Sequence, residues 1–372
     1  MRIVTNTIPL LSQLTGIGSY TWQICRAMQK VAPDHDYRYY YGYYSSRLFC
    51  AGQDGGGIAG IKDLVKNIPG IGRTLRLLKG AGACLSRRRF DVYFEPNYVP
   101  LAIKARRIVV AVPDFSCVLH PEWHRPEAME YFRHTFFKNI GRADQIIAIS
   151  DFIRDTAIHE FGFAADRVTT IHLGYDNEVF FQHEAEGLLT ARNKLSLPQR
   201  FILYVGSIEP RKNLVRLLKA YQQLSAAQRG EVKLILAGFS GWDNAEVMEL
   251  LMAMQQDVTY LGYVDEGQLA MLYNLAELFV YPALYEGFGL PPLEAMASGC
   301  PVMVANVASL PEVCGEAATY VDPNDVEQMT NELARLIEDE KARNILSKKG
   351  LERAKLFSWE RSAREHLTVF GM

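Results

Sequence analysis

The feature that most limits the fold is an alternation carried through the whole chain, in which short runs rich in β-branched and aromatic residues are followed by longer stretches of helical period. MRIVTN, DYRYYYGYY, DVYFEP, RIVVAVPD, QIIAIS and RVTTIHLG mark the first half, and RFILYVGSIEP, KLILAGF, VTYLGYV, LFVYPAL, CPVMVAN and ATYVD the second. Between the later runs fit LVRLLKAYQQL, EVMELLMAMQQ, EGQLAMLYNLA and PLEAMASG. Such alternation predicts an α/β chain with parallel sheets, because one parallel strand reaches the next only through a crossover. The polar stretch YDNEVFFQHEAEGLLTARNKLSLPQR interrupts the series and predicts two tandem doubly wound sheets with a boundary near residue 175. A length of 372 residues, 49% of them apolar, is enough for two cores.

Composition narrows the function classes. A formal charge of −2 offers no general attraction for nucleic acid, whose binding domains are basic as a whole. Cys25, Cys50, Cys84, Cys117, Cys300 and Cys314 lack Cys-x-x-Cys spacing and companion histidines, which predicts reduced thiols in a cytoplasmic protein and no structural zinc. The first residues, MRIVTNTIPLLSQLTGIGSY, are broken by Thr, Asn, Pro and Gln, unlike a signal peptide, and no apolar run approaches the ~20 residues of a membrane span. One segment is locally basic: Lys62, Lys66, Arg73, Arg76, Lys79, Arg87, Arg88 and Arg89 oppose a single Asp63, with Ile71, Leu75, Leu77 and Leu78 among them. Residues 62–89 read either as a solvated helix face or as a surface that meets anionic lipid.

The stretch YEGFGLPPLEAMASGCP, residues 285–301, carries the most chemistry. Gly287 and Gly289 allow close approach or positive φ. Pro291 and Pro292 suit a first helical turn, whose N–H groups have no partner, and Gly299 suits the end of that helix. Unpaired amides at a helix start, with the positive end of the dipole, make an anion site suited to phosphate. Glu286 precedes those amides and Glu294 follows them, eight positions on. Carboxylates accept strongly from paired hydroxyls, so the joint pattern fits a sugar nucleotide, although each glutamate taken singly reads first as a surface or solvated charge. In VGSIEPRKNLVRLLKAY a strand leads through Gly206 and Ser207 to Arg211 and Lys212, just ahead of an amphipathic helix. Alone such a pair reads as solvated surface, but cations are disfavoured at that end of a helix, which makes a bound diphosphate an attractive explanation, at roughly 1.5–3 kcal/mol for each charge-assisted contact.

With both motifs in place, the chain resembles the retaining glycosyltransferases of the GT-B fold, family 4, especially bacterial mannosyltransferases that build O-antigen or exopolysaccharide. The resemblance covers nearly the whole chain. Its specific residues are Glu286 to Glu294 in YEGFGLPPLEAMASGCPV and the VGSIEPRKN segment, with TGIGSY, LGYVDEGQLAMLY and FSWERSAREHL in support. It implies two Rossmann-like domains with a cleft between them: an acceptor-binding domain over 1–174, a nucleotide-sugar-binding domain over 175–354, and a helix within 355–372 that crosses back onto the first.

The resemblance also implies roles. Glu286 would hold hydroxyls of the transferred sugar, Glu294 the ribose, and Arg211 and Lys212 the diphosphate, with Gly206, Ser207 and Gly287 beside the ligand. Amides at Phe288, Gly289 and Leu290 would support the phosphates and sugar, and Tyr263 and Val264 would lie near the base. Gly16 and Gly18, on the loop after the first strand, would border the cleft. The implied donor is a GDP-sugar of mannose or a related deoxyhexose such as rhamnose, ahead of UDP-glucose or UDP-GlcNAc, with no metal and no cofactor. The implied acceptor is a glycan or undecaprenyl-linked saccharide, which gives the basic 62–89 segment a role at the cytoplasmic face of the inner membrane.

One position departs from the family pattern. Family members carry a His-Asp pair after the strand matching RIVVAV, where this chain has Pro113 and Asp114, followed by Cys117 and His120 in DFSCVLHPEWH. Asp114 is expected on the acceptor or sugar side, His120 is a candidate for the missing imidazole, and Ser150 in IAISDFIRD is expected to cap a helix. Three other classes compete. A glycoside hydrolase also uses two carboxylates, but without phosphate features. A nicotinamide enzyme needs a third glycine that GIGSYT lacks. A non-catalytic membrane scaffold would release no nucleotide from a sugar donor.

Overall fold

A computed structural model of the chain describes residues 1–12, 16–50, 89–124, 126–242 and 244–372. It folds as two compact units, Met1–Gly174 with Trp359–Met372, and Tyr175–Ser358. Residues 355–358, grouped by sequence with the returning helix, belong instead to the second unit. Phe357 packs edge-on to Phe288 at 5.8 Å and lies under the Arg353 guanidinium at 5.2 Å, and Ser358 bridges to Tyr175. Among the described residues no helix is long and apolar enough to cross a membrane.

The first unit holds a seven-stranded sheet. Its strands are β1 (Arg2–Asn6), β2 (Asp36–Tyr40), β3 (Tyr44–Ser45), β4 (Phe90–Glu95), β5 (Ala105–Val112), β6 (Gln145–Ala148) and β7 (Val168–Thr170), in the order β3-β2-β1-β4-β5-β6-β7. All pairs are parallel except β2 with β3. The chain steps outward from β1 to β3 and returns to lay β4 against β1, so strand order reverses between those two.

The helix Gly16–Val31 packs against the final helix, Trp359–Phe370. Tyr20 donates its hydroxyl to His366 Nε2 at 2.7 Å, while His366 Nδ1 donates to the Ser362 carbonyl at 2.7 Å. Burial pushes the imidazole down to about 4, so it packs as a neutral group. Gly16 and Gly18 were expected on a loop, but both lie inside the first turn of Gly16–Val31, because the helical period of GIGSYTWQICRAMQKV begins at the glycines themselves.

The second unit holds six parallel strands, β8 (Phe201–Val205), β9 (Lys233–Ala237), β10 (Val258–Tyr260), β11 (Leu278–Tyr281), β12 (Val302–Ala305) and β13 (Ala318–Val321), in the order β10-β9-β8-β11-β12-β13. Here the order reverses between β8 and β11. Strands β11 and β12 are buried along their full length, as expected of parallel strands with both faces covered. The polar connecting stretch contains a helix that its pattern did not announce, Ala185–Lys194. None of its residues is buried, so it carries no apolar stripe to read.

Candidate functional site

Open α/β sheets offer a crevice beyond the carboxyl ends of the two strands where strand order reverses. In the second unit those strands are β8 and β11, and both leave the sheet through glycine-containing loops. After β8 the backbone of Gly206 runs so close to Gly238 that a Cβ on Gly238 would stand 2.1 Å from the Gly206 carbonyl oxygen. The chain then makes one tight helical turn, Pro210–Lys212, closed by Asn213 in the left-handed region at φ 59°. Asn213 Nδ2 donates to the carbonyls of Pro282 at 3.0 Å and Pro323 at 2.7 Å, and the Leu284 amide donates to the Arg211 carbonyl at 2.8 Å. The turn after β8 is thereby fastened to the loop after β11.

That fastening brings three of the expected residues into direct contact. Arg211 Nη1 donates to Glu286 Oε1 at 2.8 Å and to the Tyr285 carbonyl at 2.9 Å, while Nη2 donates to Glu209 Oε1 at 2.9 Å. Lys212 Nζ donates to Glu286 Oε1 at 2.6 Å and to the Tyr281 hydroxyl at 2.5 Å, and that hydroxyl donates to Glu286 Oε1 at 3.1 Å. Lys212 and Glu286 are each only 8% exposed. Burial works to raise the Glu286 carboxyl, but Arg211 and Lys212 overcome it and hold the group below the usual carboxylate range. Burial, then Arg211, pushes the Lys212 ammonium down from its ordinary value, against the pull of Glu286 and Glu209.

The loop that follows is held from behind. The buried Ser309 hydroxyl lies 2.9 Å from the Glu286 carbonyl and 2.8 Å from that of Phe288. Gly289 takes φ 107°, and a Cβ there would meet Leu310 at 2.9 Å, so only glycine fits the entry to the helix Leu290–Ala297. The helix opens on the two prolines and closes before Gly299 at φ 77°. Phe288, Gly289 and Leu290 thus form its amino-terminal turn.

Glu294 stands apart from the cation cluster. It is half-buried, Tyr273 donates to its Oε2 at 3.3 Å, and burial followed by the charge of Glu266 pushes its carboxyl up to about 8. Tyr263 is 51% exposed and stacks on Phe239 at 4.7 Å, with half-buried Val264 next to it in the chain. Gly206 and Ser207 are also half-buried at the end of β8, whereas Gly287 is buried.

In the first unit the reversal lies between β1 and β4. Asn6 Nδ2 donates to both oxygens of Glu95, at 3.0 and 2.9 Å, Tyr93 donates its hydroxyl at 2.5 Å, and the Asn97 amide donates at 3.1 Å. No cation joins them among the described residues, and burial pushes Glu95 up to about 8. Beyond β5, Asp114 Oδ1 accepts from the amide and the hydroxyl of Ser116, at 2.9 and 2.8 Å. The Ser116 hydroxyl proton is therefore committed to Asp114, so His124 Nε2, 3.0 Å from Ser116 Oγ, is the donor there. His124 Nδ1 lies 3.8 Å from Cys117 Sγ. His120, the expected substitute imidazole, instead stacks on Trp123 at 3.9 Å and faces Glu122 at 3.3 Å. Ser150 caps the helix Asp151–His159, accepting from the Ile153 amide. The basic stretch from Lys62 to Arg88 lies outside the described residues; Arg89 is exposed.

Sequence reasoning missed Glu209, Tyr281, Ser309 and His124. Glu209 sits two positions before Arg211 and could have been read as its partner, and Tyr281 is a hydroxyl-bearing residue in an otherwise apolar strand. Ser309 approaches from a distant loop, with no local signal.

Comparison with known proteins gives consistent results. Residues 14–179 match the family described as Glycosyltransferase Family 4, and residues 189–353 match Glycosyl transferases group 1. O-antigen chain mannosyltransferase B of Escherichia coli is 31% identical over 384 aligned residues that span 100% of both chains. Among solved structures, sucrose-phosphate synthase from Thermosynechococcus elongatus superposes with a TM-score of 0.72 at 20% identity, over 99% of this chain and 98% of that one. HepE from Anabaena in complex with UDP-glucose superposes with a TM-score of 0.68 at 15% identity, over 100% of both. These structures share the two-domain GT-B fold.

Proposed function

This chain belongs to glycosyltransferase family 4, and we propose that it moves a mannosyl or related deoxyhexosyl group from a GDP-sugar to a glycan or undecaprenyl-linked saccharide acceptor, with retention at the anomeric carbon. The observation that carries this reading is the meeting of Arg211, Lys212 and Glu286 beyond β8 and β11. The full-length likeness to an O-antigen mannosyltransferase favours mannose, and hence GDP, as donor chemistry.

In this reading the bond from the anomeric carbon to the diphosphate breaks, a bond to the acceptor oxygen forms on the same face, and the acceptor's hydroxyl proton leaves on the departing phosphate oxygen. The charge that develops on the diphosphate is met by Arg211, Lys212 and the amides of Phe288, Gly289 and Leu290, so no metal is required of the site. Glu286 accepts from the sugar hydroxyls. Glu294 takes the ribose, and Tyr263 and Val264 the base. Asp114 serves the acceptor side of the first unit. The work is placed in the cytoplasm, at the membrane face where a lipid-linked acceptor resides.

A second reading, a UDP-hexose donor, is favoured by the likeness of the fold to HepE, whose structure holds UDP-glucose. A thermal-shift panel of GDP, UDP, ADP and their sugars separates the two, since a ligand at about 100 times its Kd adds about 2.7 kcal/mol to the native state. GDP and GDP-mannose are expected to raise the unfolding temperature most. A larger rise with UDP or UDP-glucose selects the second reading, and no rise with any nucleotide removes both.

A further inference from the structure

Among the described residues, every donor that reaches the Glu286 carboxylate ends on the same oxygen. Oε1 accepts from Arg211 at 2.8 Å, Lys212 at 2.6 Å and Tyr281 at 3.1 Å, and among the described residues no hydrogen bond reaches Oε2. Two of the three bonds belong to a closed ring, in which Lys212 donates to the Tyr281 hydroxyl, that hydroxyl donates to Oε1, and Lys212 also donates to Oε1 directly. A lysine and a glutamate alone could pair through either carboxylate oxygen and by several rotamers. The third member removes that freedom, because only one arrangement closes all three bonds.

The phenol is not explained by packing. Tyr281 is the last residue of β11, 0% exposed, with its ring stacked on Phe279 at 5.8 Å and beneath the Lys212 ammonium at 5.0 Å. Phenylalanine would fill the same space. The hydroxyl alone distinguishes the two, and among the described residues its hydrogen bonds go to Lys212 and Glu286.

We propose that Tyr281 is a positioning residue of the donor site, whose hydroxyl binds Lys212 to one oxygen of Glu286 so that Glu286 Oε2 and the remaining N–H of Lys212 are the groups presented to the sugar nucleotide. The assignment rests on the donor-site reading above. It divides Glu286 between an anchored oxygen and a presented one, and it makes the diphosphate-binding cation depend on a neutral neighbour.

The charge environment gives the assignment a titration signature. Lys212 is faced by Arg211 and Glu209 from its own turn, by Glu286 from the loop after β11, by Tyr281 from β11, and near these groups lies the buried hydroxyl of Tyr204 on β8. Burial and Arg211 already depress the ammonium, and removing the phenol takes away an acceptor that favours its charged form, so its titration moves further down. Diphosphate affinity therefore falls at lower pH when the hydroxyl is absent.

The test is calorimetric titration of wild type and Tyr281→Phe with GDP and with UDP across pH 6 to 10, repeated in a Lys212→Met background. For whichever nucleotide binds wild type more tightly, the phenylalanine variant is expected to bind about ten-fold more weakly at neutral pH, the size of one lost hydrogen bond to a charged group. Its alkaline loss of affinity should begin about half a pH unit earlier. In the Lys212→Met background the same substitution should add less than about two-fold, because the group it acts through is gone. Superimposable affinity curves for wild type and Tyr281→Phe, or an undiminished loss in the Lys212→Met background, overturn the assignment and leave the donor-site reading standing. Failure of both nucleotides to bind wild type overturns the two together.

Discussion

At the point where its strand order reverses, each sheet buries a glutamate beside a tyrosine hydroxyl. Glu95 meets Asn6, Tyr93 and a backbone amide; Glu286 meets Tyr281 and two cations. Burial pushes both carboxyls up, yet Glu95 ends near 8 while Glu286 ends below its ordinary range. The largest difference is charge, since neutral donors do not offset the loss of water around Glu95 whereas Arg211 and Lys212 do so around Glu286. The first reversal point is closed by its own hydrogen bonds, with Glu95 0% exposed. The second sets two cations, Arg211 and Lys212, against two carboxylates, Glu209 and Glu286. Duplicated architecture thus gives one corner closed by neutral donors and one built on ion pairs, which is the corner proposed to bind the donor.

The largest test of this contrast is Glu286→Ala, which should lower turnover by about a hundred-fold or more, the scale seen when a group that stabilises the transition state is removed. Turnover equal to wild type in a mannosyl-transfer assay would erase the functional half of the comparison. Lys212→Ala should weaken GDP or UDP binding about ten-fold, a change of about 1.4 kcal/mol, and calorimetry showing unchanged affinity would make the second corner as structural as the first.

The smallest effect is the sharpest in sign. Glu95 is held above its unfolded range, so its contribution to stability is complete below about 4.5 and is lost as pH rises toward 8. Glu286 is held below that range, so its contribution is present above about 4.5 and is lost on acidification through its folded value. The stability gap between wild type and Glu95→Gln should narrow from pH 4.5 to 8, and that of Glu286→Gln should narrow below pH 4.5. Neither slope exceeds about 1.4 kcal/mol per pH unit. Thermal unfolding across this range reads both, and parallel slopes would contradict the assigned charge states.

The contrast also marks what a sequence conveys. All strand candidates became strands: the central ones, such as β11 and β12, because buried parallel strands are near-continuous apolar runs, and the outer ones, such as β7 and β10, because their β-branched and aromatic residues mark them despite partial exposure. Arg211, Lys212 and Glu286 were legible for a different reason, since cations at a helix start and glycines around a glutamate conflict with local preference. Residues that obey local preference stayed hidden. Tyr281 looks like an ordinary strand residue and Ser309 like an ordinary loop residue until the fold sets their hydroxyls against Glu286, Lys212 and the loop carbonyls. His120 and His124 show the converse. Both stand near Asp114 in sequence, and only the turn at Pro121–Trp123 decides that His124, four residues further along, reaches Ser116.

The helix Trp359–Phe370 completes a unit whose other strands and helices were translated hundreds of residues earlier. Phe94 on β4 packs against His366 and Phe370 at 5.4 Å each, and Tyr20 against Trp359 at 6.2 Å. While the ribosome still holds that carboxyl-terminal segment, these aromatic faces stay uncovered. The nascent amino-terminal half must wait, incompletely sealed, until its successor has been synthesised, so a stop codon placed just before Trp359 would leave the later-made unit whole and the earlier-made one open.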